Sequence, residues 1–140
     1  MANQLKYTLN QLDHAVEIVK KQMDESRIVT FTGDLGAGKT TLIRALLRNL
    51  GVKEPVTSPT FTYVNRYTLE GGKILYHFDL YRLNSLDEFM EQGFHEYLYQ
   101  PGSWCLIEWP AIIMPLLTHE VCHITLDYDD NARSMHWKTV

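Results

Sequence analysis

No apolar run in this chain approaches the roughly 18 residues that a membrane-spanning helix needs. Its first six residues lack the apolar core of a secretory signal, so a cytoplasmic location with no membrane contact is expected. Cysteine is scarce. Cys105 and Cys122 stand far apart, each inside an apolar strand-like segment, with no C-x-x-C spacing. That argues against a disulfide framework and a cysteine-rich metal centre, and both thiols read as small buried hydrophobes. The six histidines are scattered without metal-ligand spacing and are given no catalytic role. Positive charge is also short. A formal net charge of −4 argues against broad binding to phosphate backbones, which draws on clustered Lys and Arg, so any contact with RNA is expected to pass through a partner. The balance is uneven, with 8 basic against 6 acidic residues through Thr60 and 5 against 11 from Phe61 onward. Solvated faces of different sign account for this as readily as a functional polarity. There is no internal repeat, and 140 residues at 45% apolar content suffice for one core but not for two ordinary domains. A single domain over 1–140 is expected.

Helical spacing of Leu12, Ala15, Val16, Val19 and Met23 predicts a first helix, with Asn10 placed to cap it. Arg27 to Thr32 is short, β-branched and bounded by Gly33, the pattern of a buried strand. A second helix runs from about Lys39 to Leu50 with Leu42, Ile43, Ala45, Leu46, Leu47 and Leu50 inward, and Gly51 is placed to end it. Two prolines exclude regular structure from Glu54 to Thr60. Phe61 to Leu69 and Lys73 to Leu80 flank Glu70-Gly71-Gly72 like the arms of a hairpin. Ser85-Leu86-Asp87-Glu88 matches a capping box for a short helix that Gly93 can stop. Trp104 to Trp109 reads as an apolar strand ending in Glu108, and Val121 to Tyr128 and Ser134 to Val140 as two more around Asp129-Asp130-Asn131. The order points to an α/β fold, a three-layer sandwich of the P-loop NTPase kind with a mixed, partly antiparallel sheet.

Gly33-Asp34-Leu35-Gly36-Ala37-Gly38-Lys39-Thr40 fits G-x-x-x-x-G-K-[ST] without a mismatch, between a predicted strand and a predicted helix. A chance match in a chain this long arises on the order of once in a few hundred sequences. Glycines let backbone N–H groups close around phosphate oxygens, and the helix presents its positive end to the same anion. Lys39, expected on a solvent-facing loop, supplies an ammonium for the β- and γ-phosphates of ATP, and the Thr40 hydroxyl is the expected Mg²⁺ ligand. Hydrolysis or transfer needs a further group. Asp79 and Glu108 each close an apolar predicted strand, where open α/β sheets place ligand-facing residues.

With these motifs the sequence resembles the TsaE-type ATPases of bacterial tRNA threonylcarbamoyladenosine biosynthesis. Four blocks in order carry the resemblance: Gly33 to Thr41, Ser58-Pro59-Thr60-Phe61, His77-Phe78-Asp79-Leu80-Tyr81-Arg82, and Leu106-Ile107-Glu108-Trp109. The resemblance implies a protein that binds and hydrolyses ATP with Mg²⁺ to drive the complex making N6-threonylcarbamoyladenosine at position 37 of tRNAs. The transferase chemistry would lie in TsaD-like and TsaB-like subunits, with tRNA met only through them. It also implies nucleotide contacts from Gly33 through Thr41, Mg²⁺ ligation by Thr40 and Glu108, and catalytic roles for Lys39, Asp79 and Glu108. Ser58 to Phe61 would form a nucleotide-sensing switch, Trp109 would join the cluster, and Arg133 would lie near the base.

Read without the resemblance, several of these residues have two meanings. Thr57 to Thr60 is either a segment ordered by a γ-phosphate or a plain connecting loop. Tyr81 and Arg82 either meet a partner or developing phosphate charge, or form an exposed ion pair. Trp109 is either core or platform. At the level of function, a small-molecule kinase and a non-hydrolysing, nucleotide-dependent adaptor compete with the ATPase.

Overall fold

The computed structural model describes residues 3–34, 37–59 and 61–140; Leu35, Gly36 and Thr60, named above as site residues, lie outside them. Seven strands are described: β1 (Gln4–Tyr7), β2 (Ile28–Thr32), β3 (Val64–Thr68), β4 (Ile74–Asp79), β5 (Ser103–Glu108), β6 (Val121–Asp129) and β7 (Ala132–Thr139). They form one sheet in the order β1-β7-β6-β2-β5-β4-β3. The four central strands run parallel, while β3 pairs antiparallel with β4, β7 with β6, and β1 with β7. Central parallel strands are covered on both faces, and β2 and β5 are accordingly buried almost throughout. The sheet is therefore mixed, and its antiparallel pairs lie at the two edges.

Side chains alternate across a strand, and that alternation divides the core in two. Val29, Phe31, Leu75, Leu106, Cys122 and Ile124 pack on one face with α1 (Leu12–Met23) and α2 (Lys39–Asn49). Ile28, Tyr76, Phe78, Cys105, Ile107 and Val121 pack on the other, with Phe89 of α3 (Leu86–Glu91) and Ile113 of the 3₁₀ segment Ala111–Leu116. Ala15, Val16, Val19 and Met23 of α1 are buried, as their spacing requires, and so are Leu42, Ile43, Leu46 and Leu47 of α2; Ala45 and Leu50 pack at its margin. Gly51 follows α2 with a φ of 90°.

Some local expectations need correction. Thr8, not Asn10, opens the first helical segment: a 3₁₀ turn (Leu9–Gln11) precedes α1, and Gln11 Oε1 accepts the Thr8 backbone N–H at 3.1 Å. Gln4–Tyr7, assigned no structure from its sequence, is an edge strand because β7 offers it a partner. The hairpin arms are shorter than expected, at Val64–Thr68 and Ile74–Asp79. The Ser85 cap is present, its Oγ accepting the Glu88 N–H at 3.1 Å, but the Glu88 carboxylate turns to Asn84 N at 3.2 Å. Among the described residues no helix is long and apolar enough to cross a membrane.

Cys105 and Cys122 are free and buried on opposite faces of the sheet, and burial pushes both thiols up to about 12. Since the thiolate is the nucleophile, neither should react with a thiol-exchange reagent at about pH 8 while the chain is folded. Both are expected to react once guanidinium chloride unfolds it. Rapid labelling of the native protein would contradict this packing.

Candidate functional site

Strand β2 delivers the chain to the end of the sheet where the phosphate-loop sequence begins. Gly33 has a φ of 149°, and a Cβ there would lie 2.4 Å from the backbone oxygen of Leu126. Only glycine fits so close to β6. Gly38 has a φ of 98°, and its missing Cβ leaves room for the Arg133 side chain, whose Nε would otherwise be 2.5 Å away. Between them the Ala37 N–H bonds the Asp34 carbonyl at 3.0 Å. Helix α2 starts at Lys39, so Lys39, Thr40 and Thr41 occupy its positive end.

Lys39 is only 5% exposed, unlike the solvent-facing lysine expected from the sequence. Its ammonium donates to the carbonyl of Gly33 and to that of Asp34 at 3.3 Å, and it sits 3.8 Å from the centroid of the Trp109 ring. A buried cation needs such partners. Burial pushes the Lys39 ammonium below the usual lysine range, and the carboxylates of Glu108, Asp34 and Asp79 push the other way.

Asp79 and Glu108 are the last residues of β4 and β5 and stand opposite each other in the parallel register. Both project to the α2 face and both are buried, at 8% and 3% exposure. Asp79 Oδ1 accepts the Tyr81 N–H at 3.1 Å, and Oδ2 accepts from Ser58 Oγ at 3.4 Å. Thr40 Oγ1 lies 3.5 Å from Glu108 Oε1. The next residue, Trp109, has a φ of 58°, which turns its ring over Lys39 and against Tyr81, with ring centroids 5.0 Å apart. Trp109 is thus a platform at the site and not part of the deep core.

The structure brings most of the expected residues together. Gly38, Lys39, Thr40, Thr41, Ser58, Asp79, Glu108, Trp109 and Arg133 line one cavity of about 420 Å³, joined by Tyr81 and Arg82. Arg133 reaches it from β7, its guanidinium 5.3 Å from the Tyr128 ring. Arg82 lies 5.1 Å from the ring of Phe61, which is 81% exposed. Gly33 and Asp34 stand beside the cavity through their bonds to Lys39. His77 stands first in the block that runs to Arg82 but has no role assigned from the sequence, yet its Nε2 lies 2.7 Å from Glu108 Oε2. The available signal was strand alternation: two residues before Asp79, it must share the same face.

Chemically, the cavity combines a helix N-terminus and an ammonium, which favour an anion, with two carboxylates and a hydroxyl, the hard oxygen donors that suit Mg²⁺. Mg²⁺ is usually held by one or two protein oxygens together with substrate phosphates, and Thr40 and Glu108 bring two such oxygens within 3.5 Å of each other.

Comparison with known proteins agrees in sequence and in shape. The model of the family described as "TsaE: Threonylcarbamoyl adenosine biosynthesis protein TsaE" matches residues 7–135. The chain is 40% identical over 118 residues to a tRNA threonylcarbamoyladenosine biosynthesis protein TsaE of Haemophilus influenzae, covering 84% of this chain and 73% of that protein. It is 41% identical over 111 residues to the protein of the same name from Synechocystis, covering 73% of this chain and 66% of that one. The crystal structure of Bacillus subtilis YdiB superposes with a TM-score of 0.67 at 31% identity, covering 100% of this chain and 88% of that one.

Lys39→Ala is expected to weaken ATP binding by at least about tenfold, equivalent to about 1.4 kcal/mol, because it removes the cation at the helix start. Isothermal calorimetry measures this, and circular dichroism checks that the fold persists. Affinity within about a factor of two of the unmodified chain, below about 0.5 kcal/mol, would refute the phosphate-loop assignment.

Proposed function

Because the chain belongs to the TsaE family of threonylcarbamoyl adenosine biosynthesis proteins, we propose that it is the subunit that binds and hydrolyses ATP to drive the complex making N6-threonylcarbamoyladenosine at position 37 of tRNAs. It does so on a P-loop NTPase-like fold. The observation that carries this reading is the meeting of Lys39, Thr40, Asp79 and Glu108 at one cavity beside the glycine loop. Gly33 to Thr41 hold the phosphates, Thr40 and Glu108 hold Mg²⁺, and Arg133 borders the nucleotide at Gly38. When bound, Mg²⁺ supplies Lewis-acid stabilisation of charge on the phosphate oxygens.

The roles of the chain's own groups follow from their surroundings. Lys39 leaves the carbonyls of Gly33 and Asp34 and meets phosphate oxygens, exchanging neutral acceptors for charged ones. Asp79, held by Tyr81 N–H and Ser58 Oγ, links the metal side of the cavity to the Ser58 loop. That link gives the loop a route by which to sense the nucleotide. Trp109 shields Lys39 from water on one side.

Partners of the TsaD and TsaB type provide the transferase chemistry and contact tRNA; a net charge of −4 fits a subunit that meets tRNA only indirectly. We place the cycle in the cytoplasm. The cavity is bordered by exposed Thr41, Ser58, Tyr81 and Arg82, so another surface is needed to exclude water. This sets the chain apart from a self-sufficient kinase.

Two measurements test the proposal. Glu108→Ala should keep ATP affinity within a few-fold but lower the rate of phosphate release by about 10- to 100-fold. Unchanged release at saturating Mg-ATP would remove Glu108 from the site. The chain alone should be a slow ATPase, and adding TsaD-like and TsaB-like subunits should raise turnover, with about 10³ to 10⁵ as the upper range when charge arrives in trans. Fast hydrolysis by the isolated chain, unaltered by those subunits, would sink the proposal.

A further inference from the structure

We infer that His77 is a positioning residue for Glu108, holding one carboxylate oxygen so that the other is presented to Mg²⁺ beside Thr40. The inference rests on the reading of Glu108 as a metal ligand. His77 Nε2 and Glu108 Oε2 are 2.7 Å apart, and the two side chains are 1% and 3% exposed. A carboxylate only accepts, so Nε2 carries the hydrogen of this bond. Nδ1 of the same ring is buried and has no hydrogen-bond partner among the described residues. Among the described residues, the His77 ring therefore makes its one hydrogen bond to Glu108.

The geometry follows from the sheet. Asp79 pairs with Glu108 and His77 with Leu106 across β4 and β5, so His77 stands two residues below Asp79 on the same face. From there its ring reaches Glu108 diagonally. A glutamate's terminal torsion is broad and weakly restrained by itself. Tied at Oε2, the carboxylate is oriented, and Oε1 is the oxygen that faces Thr40 Oγ1 at 3.5 Å. An imidazole donor suits the task better than Lys or Arg would, since a permanent cation touching Glu108 would compete with the metal for the carboxylate. Hydrogen-bonded partners of metal-binding carboxylates typically change metal affinity or activity by about 10- to 100-fold when removed.

A purely structural pair would behave differently, and two substitutions separate the cases. His77→Gln keeps an N–H at a reach similar to that of Nε2, whereas the shorter amide of His77→Asn does not extend to Glu108. The full chain is titrated with a fluorescent ATP analogue across Mg²⁺ concentrations and in chelator, with circular dichroism to verify folding. His77→Asn is expected to need about tenfold more Mg²⁺ for half of the metal-dependent gain in affinity, with chelator affinity near that of the unmodified chain. His77→Gln is expected to recover most of the loss, and in a Glu108→Ala background neither change should matter. An unchanged Mg²⁺ requirement in His77→Asn, or an equal shift in Asn and Gln, overturns the positioning role while leaving the proposed function standing. If the unmodified chain shows no Mg²⁺ dependence, the reading of Glu108 as a metal ligand fails first, and this inference falls with it.

Discussion

Parallel pairing of β2, β5 and β4 sets Phe31 opposite Glu108 and Glu108 opposite Asp79, and the positions of the site's two carboxylates and of His77 depend on that register. A shift of one residue would turn each strand's side chains to the other face. Asp79, His77 and Glu108 would then point at the layer of Phe89 and Ile113, away from Lys39 and Thr40. The apolar residues between them prevent such a shift. Tyr76, Phe78, Cys105 and Ile107 are buried on one face, and Leu75 and Leu106 on the other. The strongly apolar neighbours thus specify where the polar residues stand.

Holding Lys39, His77, Asp79 and Glu108 at 8% exposure or less is costly unless each finds partners. Each does so with atoms the fold already supplies. Lys39 uses loop carbonyls and the Trp109 ring, Asp79 uses the Tyr81 N–H and Ser58, and Glu108 uses His77 and Thr40. Two carboxylates side by side still repel each other, and that local pair is suited to a divalent cation. Lys39, Arg82, Arg133 and the helix end at the same cavity are suited to an anion. The metal-nucleotide pair proposed above would satisfy both at once.

Membership of the TsaE family narrows the biological setting, and the geometry narrows the chemistry. The family assignment comes from matching over residues 7–135, a range that includes the strand ends carrying Asp79 and Glu108, while the site is read from a few distances at one end of the sheet.

Much of this was legible in the sequence. The glycine loop, the helix after it, the strands ending in Asp79 and Glu108, and the Ser85 cap are local patterns, set by glycine's conformational freedom, apolar periodicity and short-range hydrogen bonding. What the sequence could not supply was partnership across distance. Gln4–Tyr7 becomes a strand only because β7 lies beside it, and Thr8 replaces Asn10 as the cap because the chain enters α1 through a 3₁₀ turn. Lys39 is buried because Trp109 folds over it from just beyond the end of β5. Arg133, near the far end of the chain, meets Gly38, and His77 meets Glu108 across 31 residues. Local pattern thus determined where the glycine-rich motif and the two carboxylates stand along the chain. Strand order and register decided which side chains surround them, since those contacts join segments that no sequence window contains.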